Sequence, residues 1–246
     1  MSDPNITLYT GQSPNGVKIS ITLEELGLPY TVRKVDMIAN EQKSAWFAEI
    51  NPNARIPAIT DTFEDGKEIR VFESGSIMQY LVSRYDKDSK ISYPVGTRAH
   101  VEVSRTPGPP QGQANHFLRY AKDDHEYAAA RYQDEVKRLY GVLDKHLRDS
   151  GYDYLVSDKC TIADIAHWGW ITLSRWAKVE LSDFPTLKIW EERMLARPAV
   201  EKGRHVPEKH HREILQDPNL MEEFEKRGKA FYRKKEKEAA EAEDEA

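Results

Sequence analysis

The stretch Ser13-Pro14-Asn15-Gly16 has the residue types and the setting for chemistry. It stands between a short β-branched run, Ile6-Thr-Leu-Tyr-Thr10, and an apolar pattern from Val17 to Leu26. A loop from a parallel strand into the following helix lies at the carboxyl end of the strand, where α/β sheets hold their ligands. The first helical turn behind it offers free amides and the positive end of a dipole to an anion. A thiolate fits such a place, and the same four residues also suit a plain polar turn with a cap. Ile56-Pro57, ahead of a hairpin, and Glu73-Ser74, at a helix start, fall at the same end of the sheet. Ser74 reads equally well as an N-cap.

The elements that position these residues follow from periodicity and punctuation. Residues 17 to 26, VKISITLEEL, fit both a period of two and helical spacing. Pro14 and Asn15 at the entrance, Glu24 and Glu25 inside, and Gly27 with Pro29 at the exit decide for helix. Tyr30 to Val35 returns to strand chemistry, which makes a β-α-β unit with a parallel pair. A weak helical pattern runs from Glu41 to Ile50 and breaks at Asn51-Pro-Asn53. Residues 57–61 and 68–72 form a hairpin across Glu64-Asp-Gly-Lys67. Behind Ser74, the residues Ile77, Met78, Leu81, Val82 and Tyr85 line one helical face.

After Tyr85 no further strand is expected. Residues 1–86 read as an α/β domain, 87–97 as a linker and 98–215 as an all-helical domain. Its helices are expected at Tyr127–Leu147, Thr161–Ala177 and Thr186–Arg197. Residues 216–246 form a charged tail, basic at Arg233–Lys237 and acidic from Glu238 to Ala246. It is expected to be a solvated helix fraying into disorder.

Composition sets limits on function. The 246 residues carry 36 basic and 41 acidic side chains, a net charge of −5, without the basic stripe that nucleic-acid binding needs. One cysteine, Cys160, permits no internal disulfide and no cysteine-rich zinc site. No run approaches the ~18 apolar residues of a membrane span and no secretory signal is evident, so a cytoplasmic protein is expected.

Other clusters read as structure. Thr161-Ile-Ala-Asp164 is an Asp variant of the capping box, worth on the order of 1 kcal/mol per cap interaction. Cys160 beside it reads as a small core residue. Trp168 and Trp176 are expected in the core, with Trp170 elsewhere around the helix. His205, His210 and His211 lack ligand spacing with any carboxylate or cysteine, so they read as solvated loop residues and no metal site is expected.

Together, Leu8-Tyr9, Ser13-Pro-Asn-Gly-x-Lys18, Leu23-Glu-Glu-Leu-Gly27, Asn51-Pro-Asn-Ala-Arg-Ile-Pro57-Ala-Ile59, Phe72-Glu-Ser74, Gln79-Tyr-Leu81 and Thr161-Ile-Ala-Asp164 resemble the cytosolic glutathione transferases. Pro-Asn-Gly-x-Lys18 and Tyr85-Asp-Lys-Asp88 are most similar to the bacterial Nu class and to fungal transferases like the yeast nitrogen-catabolite regulator. The resemblance implies a thioredoxin-like N-terminal domain, an all-α C-terminal bundle, a homodimer, and glutathione as co-substrate. It makes Pro57 a cis-proline presenting the backbone of Ile56 to the cysteinyl part of glutathione. It assigns Glu73 to the α-ammonium, Ser74 to the α-carboxylate, and Gln42 and Arg55 to the glycyl end. Asn15, with Ser13 beside it, would donate to the sulfur.

Lowering a thiol pKa from about 8.5 by about two units takes roughly 2.7 kcal/mol, the scale of two charge-assisted hydrogen bonds and a helix N-terminus. The implied activity is conjugation of a small electrophile, or reduction of a peroxide or disulfide, by the bound thiolate. The competing implication is a non-catalytic regulator or assembly subunit on the same fold. Relatives mostly carry threonine at the position of Ser13, and the loop holds no cysteine for glutaredoxin-like chemistry. The segment His100-Val-Glu-Val-Ser-Arg-Thr-Pro-Gly-Pro-Pro110 departs from the family's long aromatic helix and is several residues shorter. It reads as an altered exon boundary or a gene-model error, a reading that a transcript carrying the segment intact would overturn; a genuine segment would weaken the expectations of a dimer and of an apolar electrophile pocket.

Overall fold

The computed structural model describes residues 4–102, 108–121, 125–215, 217, 219–223 and 226. Strands β1 (Ile6–Thr10), β2 (Tyr30–Lys34), β3 (Ala58–Thr62) and β4 (Glu68–Phe72) form one sheet in the order β2-β1-β3-β4. β1 and β2 run parallel, while β3 is antiparallel to both β1 and β4. Helices α1 (Gly16–Leu26), α2 (Ala45–Ile50) and α3 (Ser74–Tyr85) complete this thioredoxin-like part. Beyond it the described residues form helices α4 (Arg98–Glu102), α5 (Gly108–Arg119), α6 (Glu126–Ser150), α7 (Ile162–Ile171), α8 (Pro185–Leu195), α9 (Pro198–Arg204) and α10 (His211–Ile214).

The ambiguous pattern of α1 has a physical cause. Nine of its eleven residues are buried, because it is covered on opposite sides. One side carries the sheet and α3, and the other meets α7 and α9. The approach of α9 is close: a Cβ on Gly203 would lie 2.7 Å from the Ile21 Cα, and the Ser20 hydroxyl donates to the Gly203 carbonyl at 2.7 Å. At the far end of α1 the buried Glu25 takes both arms of the Arg197 guanidinium, at 2.6 and 2.9 Å. The two parts of the chain therefore share one core, in which Leu8, Val17, Ile21, Trp168 and Trp190 are all inaccessible to solvent or nearly so.

Several expectations shift in detail. Ser74 is the first residue of α3, and the capping position belongs to Glu73. The pattern at 161–177 divides: α7 ends at Ile171, and Trp176 sits in a separate 3-10 turn, Ser174–Ala177. Trp168 and Trp176 are buried as expected. Pro109 and Pro110 lie in the first turn of α5, where a missing N–H costs no helical bond. Residues 103–107 of the departing segment and most of the charged tail lie outside the described residues.

The histidines need a correction. His210 is 1% exposed, stacks on Trp168 with ring centres 5.7 Å apart, and caps α10 by accepting from the Arg212 amide. Burial pushes its pKa down to about 3, and that of His211 down to about 4. Among the described residues no group of three or more His, Cys, Asp or Glu is placed to hold a metal, and no helix is long and apolar enough to cross a membrane.

Candidate functional site

Sheet register brings the singled-out residues to one end of the sheet. Thr10, the last residue of β1, pairs with Lys34, the last of β2. Tyr9 pairs with Ala58, the first residue of β3, and Ala58 pairs with Phe72, the last of β4. The segments carrying Ser13 to Gly16, Gln42, Arg55 to Pro57, and Glu73 with Ser74 all leave the sheet at this edge. A Cβ on Gly11 would lie 3.1 Å from the Val35 carbonyl and 3.3 Å from Ile56 Cδ1, so three of these segments touch there.

The first loop is tightly built. The Gly16 amide donates to Ser13 Oγ at 3.0 Å, and the Val17 amide donates to the Ser13 carbonyl at 3.1 Å. Ser13 thus closes the turn, and its hydroxyl proton stays free to donate outward. A Cβ on Gly16 would stand 2.4 Å from Thr10 Oγ1 and 2.6 Å from the Gly11 carbonyl, so only glycine fits. Asn15 occupies the N-cap position of α1 but makes no side-chain capping bond, which leaves its amide available.

Two contacts fix this loop from the helical half. Gln12, 4% exposed, donates to the carbonyls of Arg204 and Glu208 at 3.0 and 2.6 Å. Gly169 on α7 abuts Pro14, whose carbonyl oxygen would be 2.4 Å from a Cβ at that position. Neither residue stands out in the sequence, except that a glycine inside a helix costs about 1 kcal/mol against alanine and so hints at close packing.

The other segments are held by polar bonds. Ile56–Pro57 is a cis peptide. Asn51, 1% exposed, donates to the Arg55 carbonyl at 2.6 Å and accepts from the Asn53 amide at 2.9 Å. The Arg55 side chain is exposed and Ile56 half-buried. Glu73 adopts φ 69°, ψ 121°, an uncommon conformation for a residue with a Cβ, at a cost of about 1–3 kcal/mol. It directs its carboxylate outward, where Asn53 Nδ2 donates to it at 3.0 Å. Gln42 Oε1 is buried without a hydrogen-bond partner, an open acceptor.

Cys160 is not part of this site. It is 2% exposed beside Met194, and burial raises its pKa well above the usual thiol value, which makes it unreactive.

A thioredoxin-like sheet followed by a helical C-terminal domain is the architecture of the glutathione S-transferase fold. The sequence matches the family model "Glutathione S-transferase, N-terminal domain" over residues 12–84 and "Glutathione S-transferase, C-terminal domain" over 76–198. The chain belongs to the glutathione S-transferase family. It is 38% identical to Disulfide-bond oxidoreductase YfcG of Escherichia coli, over 79% of this chain and 92% of that protein. It is 34% identical to Protein URE2 of Meyerozyma guilliermondii, over 79% of this chain and 77% of that protein. A glutathione transferase homolog from Lodderomyces elongisporus, solved with two GSH per subunit, superposes with a TM-score of 0.78 at 42% identity, covering 82% of this chain and 99% of the other. These relatives place the chain among the Nu-class and fungal regulator-like transferases.

Proposed function

We propose that this protein is a glutathione transferase that binds glutathione across the sheet end and uses its thiolate as a nucleophile. The supporting observation is the convergence of four segments whose polar groups are built but unspent. Ser13 has a free hydroxyl proton, Asn15 an uncommitted amide, and Gln42 an orphan acceptor. In this reading the α-carboxylate of glutathione sits at the start of α3 on Ser74 and the free helix amides, and the α-ammonium meets the outward carboxylate of Glu73. The backbone of Ile56, ahead of Pro57, pairs with the cysteinyl unit. Arg55 and Gln42 take the glycyl end.

Chemistry then follows from the donors at the sulfur. The thiol proton goes to solvent, and the Ser13 hydroxyl and Asn15 amide donate to the anion that remains. Two such bonds to a charged acceptor are worth about 1.5–3 kcal/mol each, enough to bring an ordinary thiol to half-ionisation near neutral pH. In conjugation the thiolate attacks an electrophilic carbon and expels its leaving group; in reduction it breaks the O–O bond of a peroxide or the S–S bond of a disulfide, and a second glutathione thiol completes the two-electron step to release glutathione disulfide. A homodimer in the cytoplasm belongs to the same reading.

Glutathione titration with a generic aryl halide assay, wild type beside Asn15→Ala, tests it. Loss of one donor to the thiolate is expected to lower kcat/KM by about 10- to 100-fold while glutathione still binds. An unchanged rate would sink the role of Asn15. Glutathione binding with no turnover of electrophile, peroxide or disulfide in the wild type would point to a regulator.

A further inference from the structure

Lys18 is 4% exposed, in the first turn of α1 and three residues beyond Asn15. Positions three apart share a helix face, so its side chain leaves α1 on the side of Asn15. The Nζ stands 6.0 Å from the centre of the Trp170 ring on α7. The neighbouring residue on α7, Gly169, is the one pressed against Pro14, and α5 closes the far side of the Trp170 ring at Gly112. The ammonium therefore lies against the Trp170 ring, where α7 packs on α1, on the helix that begins at the Ser13–Asn15 loop.

Among the described residues the Trp170 ring is the group that faces this charge, and no anion does. Among the described residues the ammonium makes no ion pair and no hydrogen bond. The titratable group that faces it is His167 on α7, and burial holds that imidazole neutral with a pKa of about 4. Burial alone lowers the pKa of Lys18 to about 8. At that value roughly nine-tenths of the lysine is still protonated at pH 7. A buried, unpaired charge is costly unless an opposite charge completes it.

We propose that Lys18 is a positioning residue of the site, whose ammonium is the counter-charge completed by the glutathione thiolate when it binds at the Ser13–Asn15 loop. The inference rests on the glutathione reading above. Lys18 acts through its field on the loop and keeps its own proton, while the thiol proton leaves to solvent. The coupling is reciprocal: the ammonium lowers the thiol pKa, and the thiolate raises that of the lysine.

The test follows the ultraviolet absorption of bound thiolate against pH in the full chain, with Lys18→Met and Lys18→Arg, beside calorimetric glutathione binding and thermal melts. Lys18→Met is expected to bind glutathione but to raise the pKa of the bound thiol by about one unit or more, with the acid limb of kcat/KM moving equally. Lys18→Arg is expected to stay near wild type. Without ligand, Lys18→Met is expected to melt higher, because a buried unpaired charge is gone. A bound-thiol pKa equal in wild type and Lys18→Met would overturn the proposal, whatever the melting temperature does. Wild-type protein that binds no glutathione would overturn the functional reading as well.

Discussion

Asp164→Ala is expected to cost about 4 kcal/mol of stability, well beyond the ~1 kcal/mol of an ordinary helix cap. The carboxylate is fully buried and takes four donors. Its Oδ2 accepts from the amide and the hydroxyl of Thr161, both at 2.9 Å, which closes the capping box of α7. Its Oδ1 accepts from the Leu155 amide at 2.8 Å and from the Trp190 indole at 2.9 Å. One side chain thus ties the start of α7 to the loop after α6 and to α8. Alanine leaves all of these donors in a dry interior, each worth about 1–3 kcal/mol when unsatisfied, with partial relaxation reducing the sum. For a chain of this size, 4 kcal/mol corresponds to a fall in melting temperature of about 10 °C. Urea unfolding at constant m is the direct measure. Asp164→Asn keeps an acceptor for Leu155 and Trp190 but turns a donor toward Thr161, so it is expected to fall between. A loss under about 1.5 kcal/mol for Asp164→Ala would mean that the residue is a cap and nothing more.

That difference shows where the sequence was informative. The capping box, the Asp-Gly hairpin at 64–67 and the stop at Gly27 are local, each decided by neighbours within four residues, and the structure has them. The convergence of the site loops was also legible, since a β-α-β unit followed by a hairpin fixes which strand ends face the same way. What stayed hidden depends on distant partners. The second pair of donors to Asp164 comes from residues 9 and 26 positions away, and Gln12 is bonded to carbonyls 192 and 196 positions on. His210 reads as a loop histidine because nothing beside it announces the Trp168 face on which it stacks. Lys18 is the strongest case. A lysine in a helix is ordinarily a solvated residue, and the packing of α7 with its Trp170 ring against α1 encloses it.

Gly169→Ala is expected to separate the demands of the helix from those of the site. Helix propensity alone favours alanine by about 1 kcal/mol. Sterics oppose it: the new Cβ would lie 2.4 Å from the Pro14 carbonyl oxygen and 3.3 Å from Val17 Cγ2. The first obstacle is backbone, and that backbone cannot yield locally. Gln12 anchors the loop to the carbonyls of Arg204 and Glu208, and Ser13 is bonded to Gly16 and Val17. Nor can α7 retreat freely, because Asp164 fixes its other end. Overpacking of this kind costs about 1–3 kcal/mol, so a net loss of about 1–2 kcal/mol is expected after the propensity gain. The larger effect falls on activity. Any accommodation displaces Pro14, and with it Ser13 and Asn15, and if these two donate to the thiolate as proposed, a shift of about 1 Å there is expected to cost on the order of a hundredfold in rate. Gly141→Ala on α6 is the control, since its Cβ would meet nothing closer than Phe184 at 3.9 Å. There the same substitution is expected to stabilise by about 0.5–1 kcal/mol and to leave kcat/KM unchanged. If Gly169→Ala matched Gly141→Ala in both melting temperature and kcat/KM, the contact between α7 and the loop would carry no functional weight.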